Sequence, residues 1–427
     1  MKLKDKILNK TARIGVIGLG YVGLPEAVAL AKEGYQVYGI DIDKKKVKSI
    51  NAGKNYIEDI PDEDLSEAVK SGKLKATSDE KILKTLDVVT ICVPTPFNEN
   101  KEPDLSYIVN VANSINRNFK KDSLIILEST TYTGTTREIL MSLFEKSGYK
   151  AGKDYYLAFS PERIDPGNRK YTIYNTPKVV GGITKKCTEM AELFYGEFVE
   201  KVVPVSTPEA AEMVKLLENI FRNVNIALLN ELTLLCDRMK IDIWEVVEAA
   251  KSKPFGFMPF YPGPGVGGHC IPVDPVYLSW KAKEFDFHTR FIELAAEINS
   301  NMPYYVISKL FRLLHGKPLN KCKVLLLGAA FKRDISDMRN SPSLKVMELL
   351  KKEDVKYLYN DPHVPTLDGQ RSVKLTEQLM RSMDAVVILT DHSSYDYHWI
   401  VKNSKLVLDT RNAAKDVKAG RQKIIKI

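Results

Sequence analysis

The sequence predicts an α/β protein in which two doubly wound parallel-sheet domains are joined by a central helical domain with one long helix. Short apolar segments alternate with helical patterns in both the first and the last third of the 427 residues, and one helical pattern between them covers residues 206–240. A chain of this length exceeds one ordinary hydrophobic core. We expect domains at residues 1–205, 206–315 and 316–427.

The first domain opens with a glycine-rich turn between a strand and a helix. An apolar strand at residues 12–18 leads into Gly18-Leu19-Gly20-Tyr21-Val22-Gly23, a helical pattern follows, and the second strand ends at Asp41. In this context the glycines predict a Rossmann-like dinucleotide site, with the pyrophosphate at the helix N-terminus. Asp41 would bind the adenosine ribose and favour NAD over NADP. A glycine-rich turn in another kind of α/β protein is the alternative.

Three further buried strands are predicted at residues 87–93, 123–127 and 155–159, and polar loops follow the first two. The carboxyl ends of parallel strands line the ligand crevice of such a sheet. Thr95, Glu128 and Thr130 lie in these loops and are therefore candidates for cofactor binding. Turn formation and capping are the alternative roles for these side chains.

The long central helix is predicted to start at Ser206-Thr207-Pro208-Glu209, which has capping-box spacing and a proline in the first turn. Its apolar residues keep helical spacing, and a second stripe along it is polar. Because residues at i and i+4 share a helix face, this stripe is either a solvated surface or the lining of a cleft between domains. The stripe consists of Glu212, Lys215, Asn219, Asn223 and Asn230.

The last third repeats the topology of the first in looser form. Strands are predicted at residues 323–328, 355–360, 385–389 and 405–408, with a helix at residues 343–351. Only Gly328 remains of the glycine fingerprint, so a second dinucleotide site of the usual kind is not expected. A ligand of nucleotide size still suits this fold.

Composition argues against several classes of protein. No apolar run approaches the roughly 20 residues needed to cross a bilayer, and the first residues carry charge without an apolar segment behind them. The five cysteines lack paired spacing, so neither a disulfide framework nor a bound metal is expected. The net charge of +9 is scattered over helices, which favours an anionic small substrate over nucleic acid. We expect a cytoplasmic protein with no nucleic-acid or membrane partner.

Glycines and prolines crowd around one cysteine in Gly263-Pro264-Gly265-Val266-Gly267-Gly268-His269-Cys270-Ile271-Pro272-Val273-Asp274-Pro275. A helix predicted to start at Asp274 would place the Cys270 thiol near a helix N-terminus, which favours the thiolate. A tight turn with an incidental cysteine is the alternative. A thiol becomes useful in a dehydrogenase when an aldehyde must be trapped between two hydride transfers.

Taken together, the motifs resemble the UDP-glucose/GDP-mannose dehydrogenase family over nearly the whole chain. Besides the glycine fingerprint and the cysteine loop, the resemblance rests on short motifs distributed along the sequence. These are Val93-Pro94-Thr95-Pro96, Glu128-Ser129-Thr130, Ser160-Pro161-Glu162-Arg163, Lys215 with Asn219, Phe331-Lys332 and Asp337-Met338-Arg339.

The resemblance implies oxidation of a nucleotide sugar at C6, from alcohol to carboxylate, with two NAD⁺. By position, Cys270 would be the nucleophile and Lys215 would stabilise the alkoxide and the oxyanions, with Asn219 holding the reacting oxygen. Asp274 would orient the water that hydrolyses the thioester, and Glu162 would bind the sugar or that water.

The resemblance also implies residues that bind rather than react. Thr130 would lie near the nicotinamide, and Lys332 and Arg339 would contact the substrate and cofactor sides of the cleft. Lys215 and Asn219 would contact the substrate as well. The remaining residues expected at the two sites are Tyr21 and Val22 for the cofactor, and Arg163 and Gly267 for the sugar nucleotide.

One departure from the family pattern bears on the substrate. Relatives that act on UDP-glucose carry a second glutamate four residues after the position of Glu162, where this chain has Pro166. The segments at residues 165–168 and 287–294 look like the branch that oxidises UDP-N-acetylhexosamines. We therefore expect UDP-N-acetylglucosamine first, UDP-N-acetylmannosamine second and UDP-glucose third. Asp165 or an ordered water would take over as general base.

Two other classes of function remain in competition. A two-electron dehydrogenase would share the first domain without needing Cys270, and a non-catalytic sensor of NAD or nucleotide sugars would keep the fingerprint without the reactive groups. The presence of Cys270, Lys215 and Asp274 favours the four-electron enzyme over both. By resemblance we also expect a homodimer, or a higher homo-oligomer, built on the central helices.

Overall fold

The computed structural model describes the chain except for residues 58–59, 97, 99–101, 166–167 and 169. Two compact units divide it. Unit 1 comprises Met1–Glu218 and Trp280–Asp286, and unit 2 comprises Asn219–Ser279 and Phe287–Ile427. The division between the units falls inside the long helix, so the predicted boundaries at residues 205 and 315 stay a prediction.

Unit 1 is built on an eight-stranded sheet with the order β3-β2-β1-β4-β5-β6-β7-β8, in which neighbours are parallel except for the antiparallel pair β6 and β7. The first six positions follow the 3-2-1-4-5-6 order of a dinucleotide-binding fold. The strands are β1 Arg13–Ile17, β2 Gln36–Ile40, β3 Leu74–Thr77, β4 Val88–Ile91, β5 Leu124–Leu127, β6 Tyr156–Phe159, β7 Lys178–Gly182 and β8 Val202–Val205.

Unit 2 contains a five-stranded parallel sheet with the order β10-β9-β13-β14-β15. Counted within this sheet the order is 2-1-3-4-5, which is the other common doubly wound arrangement and also places a crevice beside its first strand. The strands are β9 Lys323–Leu327, β10 Lys356–Asn360, the antiparallel pair β11 Thr366–Leu367 and β12 Gln370–Arg371, β13 Ala385–Ile388, β14 Val407–Asp409 and β15 Ile424–Lys426.

Helices cover both faces of the two sheets and form the segment between them. Those of the first part of the chain are α1 Leu3–Leu8, α2 Gly23–Lys32, α3 Lys44–Asn51, α4 Asp62–Lys70, α5 Ser106–Arg117, α6 Ser142–Lys146 and α7 Lys185–Tyr195. The later ones are α8 Pro208–Met239, α9 Ile243–Ala250, α10 Asp274–Ala282, α11 Arg290–Leu313, α12 Pro342–Lys352, α13 Glu377–Ser382 and α14 Tyr397–Asn403.

Each sheet buries apolar side chains on both faces, as parallel sheets require. In β9, Val324 and Leu326 belong to one core cluster, whereas Leu325 and Leu327 belong to another on the opposite face. This period of two explains why the strands read as continuous apolar runs in the sequence. The expected fold class is confirmed.

The long helix α8 has clear signals at both ends. Thr207 Oγ1 accepts the Ala210 N–H, so Thr207 is the N-cap and Pro208 takes the first helical position. At the other end Lys240 is left-handed, and the Ile241 N–H donates to the Cys236 carbonyl, as in a Schellman motif. The predicted start at Ser206 is therefore off by two residues.

Candidate active site

The glycine-rich turn has the geometry that a dinucleotide requires. Gly18 has φ +92°, and a Cβ there would lie 2.5 Å from the Cys92 carbonyl oxygen, while a Cβ at Gly23 would lie 2.0 Å from the Gly18 oxygen. A Cβ at Gly20 would meet nothing within 4 Å. The first and third glycines are thus required by packing, and Gly20 faces open space in front of the start of α2, where a pyrophosphate fits.

Asp41 follows β2 and is almost fully buried beside this turn. Its carboxylate accepts the Leu19 N–H at 2.9 Å and the Asp43 N–H at 2.8 Å. Lys46 Nζ also lies 3.4 Å from Oδ2, which already accepts the Leu19 N–H. These bonds fix the orientation of the carboxylate and leave a further lone pair on Oδ1 for a ribose hydroxyl. Tyr21 is 43% exposed and Val22 directly precedes α2, so both lie at the open side of the turn. The residues present therefore fit NAD.

A hydrogen bond joins the loops after β4 and β5: the Thr95 hydroxyl donates to the Thr130 carbonyl at 2.5 Å. The loop after β5 is also held by Glu212 of α8, which accepts the Gly134 N–H and the Thr136 N–H and hydroxyl. Burial raises the pKa of Glu212 to about 7, although these hydrogen bonds lower it. The polar stripe of α8 is therefore not a solvated surface at this position.

Glu128 departs from the expected place at the crevice. Its side chain is fully buried, pairs with Lys178 Nζ at 3.0 Å and accepts a hydrogen bond from the Tyr195 hydroxyl. Nearby Glu26 accepts from the Thr90 hydroxyl at 2.9 Å. Burial, and then the charge of Glu128, raise the pKa of Glu26 well above its usual value, which favours its neutral form.

Lys178, which the sequence did not single out, connects this interior cluster to Glu162. Its ammonium lies 3.0 Å from both the Glu128 and the Glu162 carboxylates and is itself 7% exposed. Burial lowers the pKa of Lys178, but the two carboxylates outweigh this and raise it above its usual value. Burial likewise raises the pKa of Glu162, and Lys178 with the Ile164 N–H brings it below its usual range. Glu162 is therefore held as an oriented carboxylate.

The main chain of Glu162 meets Lys215 of α8. The Lys215 ammonium donates to the Glu162 carbonyl at 2.5 Å, so these two expected catalytic residues are neighbours in unit 1.

The Arg163 guanidinium donates to the Glu218 carboxylate and to the Pro177 carbonyl, which occupies most of its donors within the protein. The Asp165 main-chain carbonyl accepts a hydrogen bond from the Asn168 N–H. Pro166 lies outside the described residues.

In unit 2, the cysteine loop leads directly into α10. The Cys270 carbonyl accepts the Val273 N–H at 3.1 Å and the Asp274 N–H at 2.9 Å, so the turn at Cys270 starts the helix. The thiol is half-buried, and its sulfur lies 4.0 Å from His269 Nδ1. The expected helix start at Asp274 is confirmed, and Cys270 lies one turn ahead of it.

Asn219 and Asp274 form a buried pair beside this loop. Asn219 Nδ2 donates to Asp274 Oδ2 at 2.5 Å, and the two side chains are 5% and 2% exposed. Asn219 also lies one turn after Lys215 on α8. Three of the groups expected to act on the reacting carbon, Cys270, Asn219 and Asp274, thus belong to one connected part of unit 2.

The segment between β9 and α12 packs against the same loop. The Gly268 N–H donates to the Arg339 carbonyl at 2.9 Å, and Asn340 Nδ2 donates to the Gly268 carbonyl at 3.0 Å. A Cβ at Gly267 would lie 2.6 Å from Phe331 Cβ, so only glycine fits there. Half-buried Lys332 follows Phe331. The exposed guanidinium of Arg339 pairs with Asp337 in this structure.

Among the described residues, two clusters bring three potential metal ligands within 4.8 Å of one another. One consists of Asp334, His363 and His392; there His392 Nδ1 accepts the Asp334 N–H, and His392 Nε2 lies 3.0 Å from Asp361. The other contains Glu26, Cys92 and Glu128 beside the charge of Lys178. His392, Glu26 and Glu128 are thus already engaged by other groups of the protein. No helix in the described part of the chain has the length and apolar character to cross a membrane.

Comparison with known proteins decides the family. The models of the UDP-glucose/GDP-mannose dehydrogenase family match residues 12–199 with the NAD binding domain, 209–301 with the central domain and 325–416 with the UDP binding domain. The chain belongs to this family. It is an NAD-dependent nucleotide-sugar dehydrogenase, and the expected family and cofactor are confirmed.

Individual relatives match this chain along nearly its whole length. The chain is 37% identical to UDP-N-acetyl-D-mannosamine dehydrogenase of Pyrococcus horikoshii, covering 96% of this chain and 97% of that protein. It is 35% identical to NDP-N-acetyl-D-galactosaminuronic acid dehydrogenase of Ralstonia nicotianae, covering 93% and 95%. The solved structure of the Pyrococcus horikoshii UDP-N-acetyl-D-mannosamine dehydrogenase superposes with a TM-score of 0.88 and covers 97% of this chain and 98% of that one.

Proposed function

We propose that this enzyme oxidises the C6 alcohol of UDP-N-acetylmannosamine to the carboxylate, with two NAD⁺ as hydride acceptors. The observation that carries the proposal is the Cys270 loop, held beside the buried Asn219–Asp274 pair at the start of α10. The names of the relatives support an N-acetylhexosamine, and they favour the mannosamine over the glucosamine that the sequence motifs placed first. UDP-N-acetylglucosamine and UDP-glucose become the alternatives.

In the proposed mechanism the protein first holds the alcohol while the hydroxyl proton passes to the general base, Asp165 or an ordered water, and the C6 hydrogen leaves as hydride, which gives the aldehyde. Lys215 and Asn219 lie one turn apart on α8, and both present N–H donors, which suits an oxygen that gains negative charge. Bound NAD⁺ would supply the hydride acceptor, held at the glycine-rich turn by Gly18, Gly20 and Asp41. Thr130 would border the nicotinamide.

Cys270 then acts as the nucleophile. Its thiol adds to the C6 aldehyde: the S–C bond forms, the C=O π bond breaks and the oxygen takes the thiol proton, which gives a thiohemiacetal. Loss of the hydroxyl proton and of the C6 hydride, the latter to a second NAD⁺, would then leave a thioester. Water hydrolyses the thioester and returns the thiol. Asp274 is oriented for this water by Asn219, and Glu162, fixed by Lys178, is the second carboxylate that would bind sugar or water.

A panel of UDP-sugars tests the substrate assignment. We expect kcat/KM to be highest for UDP-N-acetylmannosamine among UDP-N-acetylmannosamine, UDP-N-acetylglucosamine and UDP-glucose, measured by NAD⁺ reduction at 340 nm with the uronate identified by mass spectrometry. A higher kcat/KM for either of the other two sugars would reassign the substrate. A sugar that yields the aldehyde as its final product would contradict the thioester route.

We also propose that the enzyme is a homodimer built on α8. Partly exposed apolar side chains recur along this helix at spacings of seven, four, three and four residues, as in the seam of a coiled coil. A self-complementary stripe of this kind fits a second copy of the same helix across a two-fold axis. The stripe contains Phe221, Leu228, Leu232, Leu235 and Met239, which are 37–57% exposed.

Leu228→Asp is expected to convert the dimer into a monomer, because it places a charge in the middle of this stripe. Sedimentation velocity measures the change. Glu245→Ala on the exposed face of α9 is the control and should leave the oligomeric state as in the wild type. A wild-type protein that sediments as a monomer at micromolar concentration, or a Leu228→Asp variant that stays dimeric, would contradict the proposal.

A further inference from the structure

A chain of buried side-chain amides links the two ends of the Cys270 loop. At the first end the Gly263 N–H donates to Asn230 Oδ1 at 3.0 Å. Asn230 Nδ2 in turn donates to Asn299 Oδ1 at 2.9 Å, which carries the connection from α8 to α11. One asparagine therefore serves as acceptor for the loop and as donor for the next amide.

The chain continues in the same direction to the other end of the loop. Asn299 Nδ2 donates to the main-chain carbonyl of Asn223 at 3.1 Å. Asn223 Nδ2 donates to the Ile271 carbonyl at 3.1 Å, one residue after the cysteine. Four hydrogen bonds thus connect residue 263 to residue 271 through two helices, and Cys270 lies between these two residues.

Because the three asparagines are buried, their hydrogen bonds are costly to lose. Asn230 is 0%, Asn223 2% and Asn299 5% exposed. Loss of a partner at Asn230 or Asn299 would leave a buried polar group unpaired, at a cost in desolvation. Asn223 Oδ1 is already buried without a hydrogen-bond partner among the described residues, so this side chain is held through Nδ2 alone. Asn230 and Asn299 each donate and accept through one side chain, which an aspartate or a leucine of similar size cannot do. None of the three is needed for the chemistry proposed above.

The glycines leave the backbone of the Cys270 loop with much conformational freedom. Gly263 is the first bonded end, Gly265, Gly267 and Gly268 lie between the two ends, and Gly265 and Gly268 have positive φ. Glycine loses more conformational freedom on ordering than any other residue. External hydrogen bonds must therefore fix the path that brings the thiol to one position.

We propose that Asn223, Asn230 and Asn299 are positioning residues, which hold both ends of the loop so that the Cys270 thiol keeps one place relative to Asp274. The proposal rests on the proposed function in so far as Cys270 is the nucleophile. It also explains why the polar stripe of α8 faces inward between Asn219 and Asn230.

Asn223→Ala is the sharpest variant, because it removes only the bond to Ile271. Asn299 donates to the main-chain oxygen at position 223, which alanine keeps, so the rest of the chain of amides stays intact. We expect kcat to fall roughly 100-fold, the cost of displacing a reacting group by about 1 Å, while KM for UDP-sugar and NAD⁺ stays within about twofold. Asn230→Ala, which frees the other end, should show the same split between kcat and KM.

Asn301→Ala is the matched control, because this exposed asparagine lies two residues after Asn299 on the same helix. It should retain wild-type kcat. Thermal unfolding of all the variants shows whether lost activity merely follows lost stability. If kcat of Asn223→Ala equals that of Asn301→Ala, or if its KM values rise as much as kcat falls, the positioning role is overturned.

Alkylation of Cys270 gives a readout that does not depend on activity. Iodoacetamide labelling of the Cys270 peptide, followed by mass spectrometry, should be at least about fivefold faster in Asn223→Ala and Asn230→Ala than in the wild type, because the released loop opens locally. Unchanged labelling rates would overturn the proposal. Sustained uronate formation by Cys270→Ala would instead overturn the proposed function, and the labelling rates of the asparagine variants would still test the positioning role.

Discussion

Uronate formation is expected to stop when Cys270 is replaced by alanine, with kcat reduced by more than about 10⁴-fold, as is usual when a covalent nucleophile is removed. The reason is chemical. Without the thiol the aldehyde has no covalent anchor, so the second hydride transfer and the hydrolysis that follows lack their intermediate. Binding of NAD⁺ should persist, because the glycine-rich turn and Asp41 belong to unit 1 and Cys270 to unit 2.

The measurement combines product analysis with stoichiometry. Wild-type enzyme should form two NADH per UDP-sugar, and the variant should form no uronate while binding NAD⁺ with wild-type affinity in a fluorescence titration. Cys236→Ala is the control, since that half-buried cysteine packs beside Leu229 and Ile243 near the end of α8. Full activity of Cys270→Ala would remove the nucleophile assignment, and one NADH per sugar in the wild type would remove the four-electron route.

Lys178→Met is expected to lower the free energy of unfolding of unit 1 by about 3–5 kcal/mol, the usual cost of removing one partner from a buried ion pair. Methionine has a similar length, so the change removes the charge and leaves the packing nearly intact. The Glu128 and Glu162 carboxylates would then share the interior without the ammonium that pairs with both of them. Urea unfolding followed by hydrogen exchange of peptides from β5, β6 and β7 measures the loss.

The same variant should show a particular dependence on pH. The pKa of Glu162 is lowered from 4.5, so its pairing stabilises the fold above that pH and is lost in acid; the pKa of Lys178 is raised from 10.5, so its contribution is complete below that pH. The deficit of Lys178→Met should therefore be largest between these limits and shrink below about pH 4. Lys185→Ala, which removes an exposed ion pair with Glu189, should cost at most about 1 kcal/mol. Equal deficits in the two variants would refute the structural role of Lys178.

Local sequence signals were sufficient for much of the fold. The glycine-rich turn between two apolar runs predicted β1, α2 and β2 to within one residue of the observed strand ends, because steric requirements at Gly18 and Gly23 are visible in the motif. Strands β3, β7, β8, β11, β12 and β15 were missed. Four of them, β3, β11, β12 and β15, have only two to four residues, so length does not distinguish them from loops. β7 ends in Gly181-Gly182 and β8 contains Pro204, and these residues have low β-propensity.

The site was predicted less completely, because its partners are distant in the chain. Asn219 and Asp274 belong to motifs of the family, but the sequence does not show that these two residues, 55 positions apart, form one buried pair. Lys178 was not predicted to be a site residue, because in the sequence it is an ordinary charged residue at the start of a strand. Its partners Glu128 and Glu162 lie 50 and 16 residues away. Glu128 was placed at the crevice on the rule for strand ends, and burial beside Lys178 and Tyr195 turned it inward.

The polarity of α8 has a consequence for any work with the purified protein. Asn219, Asn223 and Asn230 are buried in unit 2, whereas several leucines of α8 are exposed, which is unusual for a helix on a monomer surface. If these leucines are covered by a second copy, folding and assembly are linked equilibria, and the melting temperature rises with protein concentration by mass action.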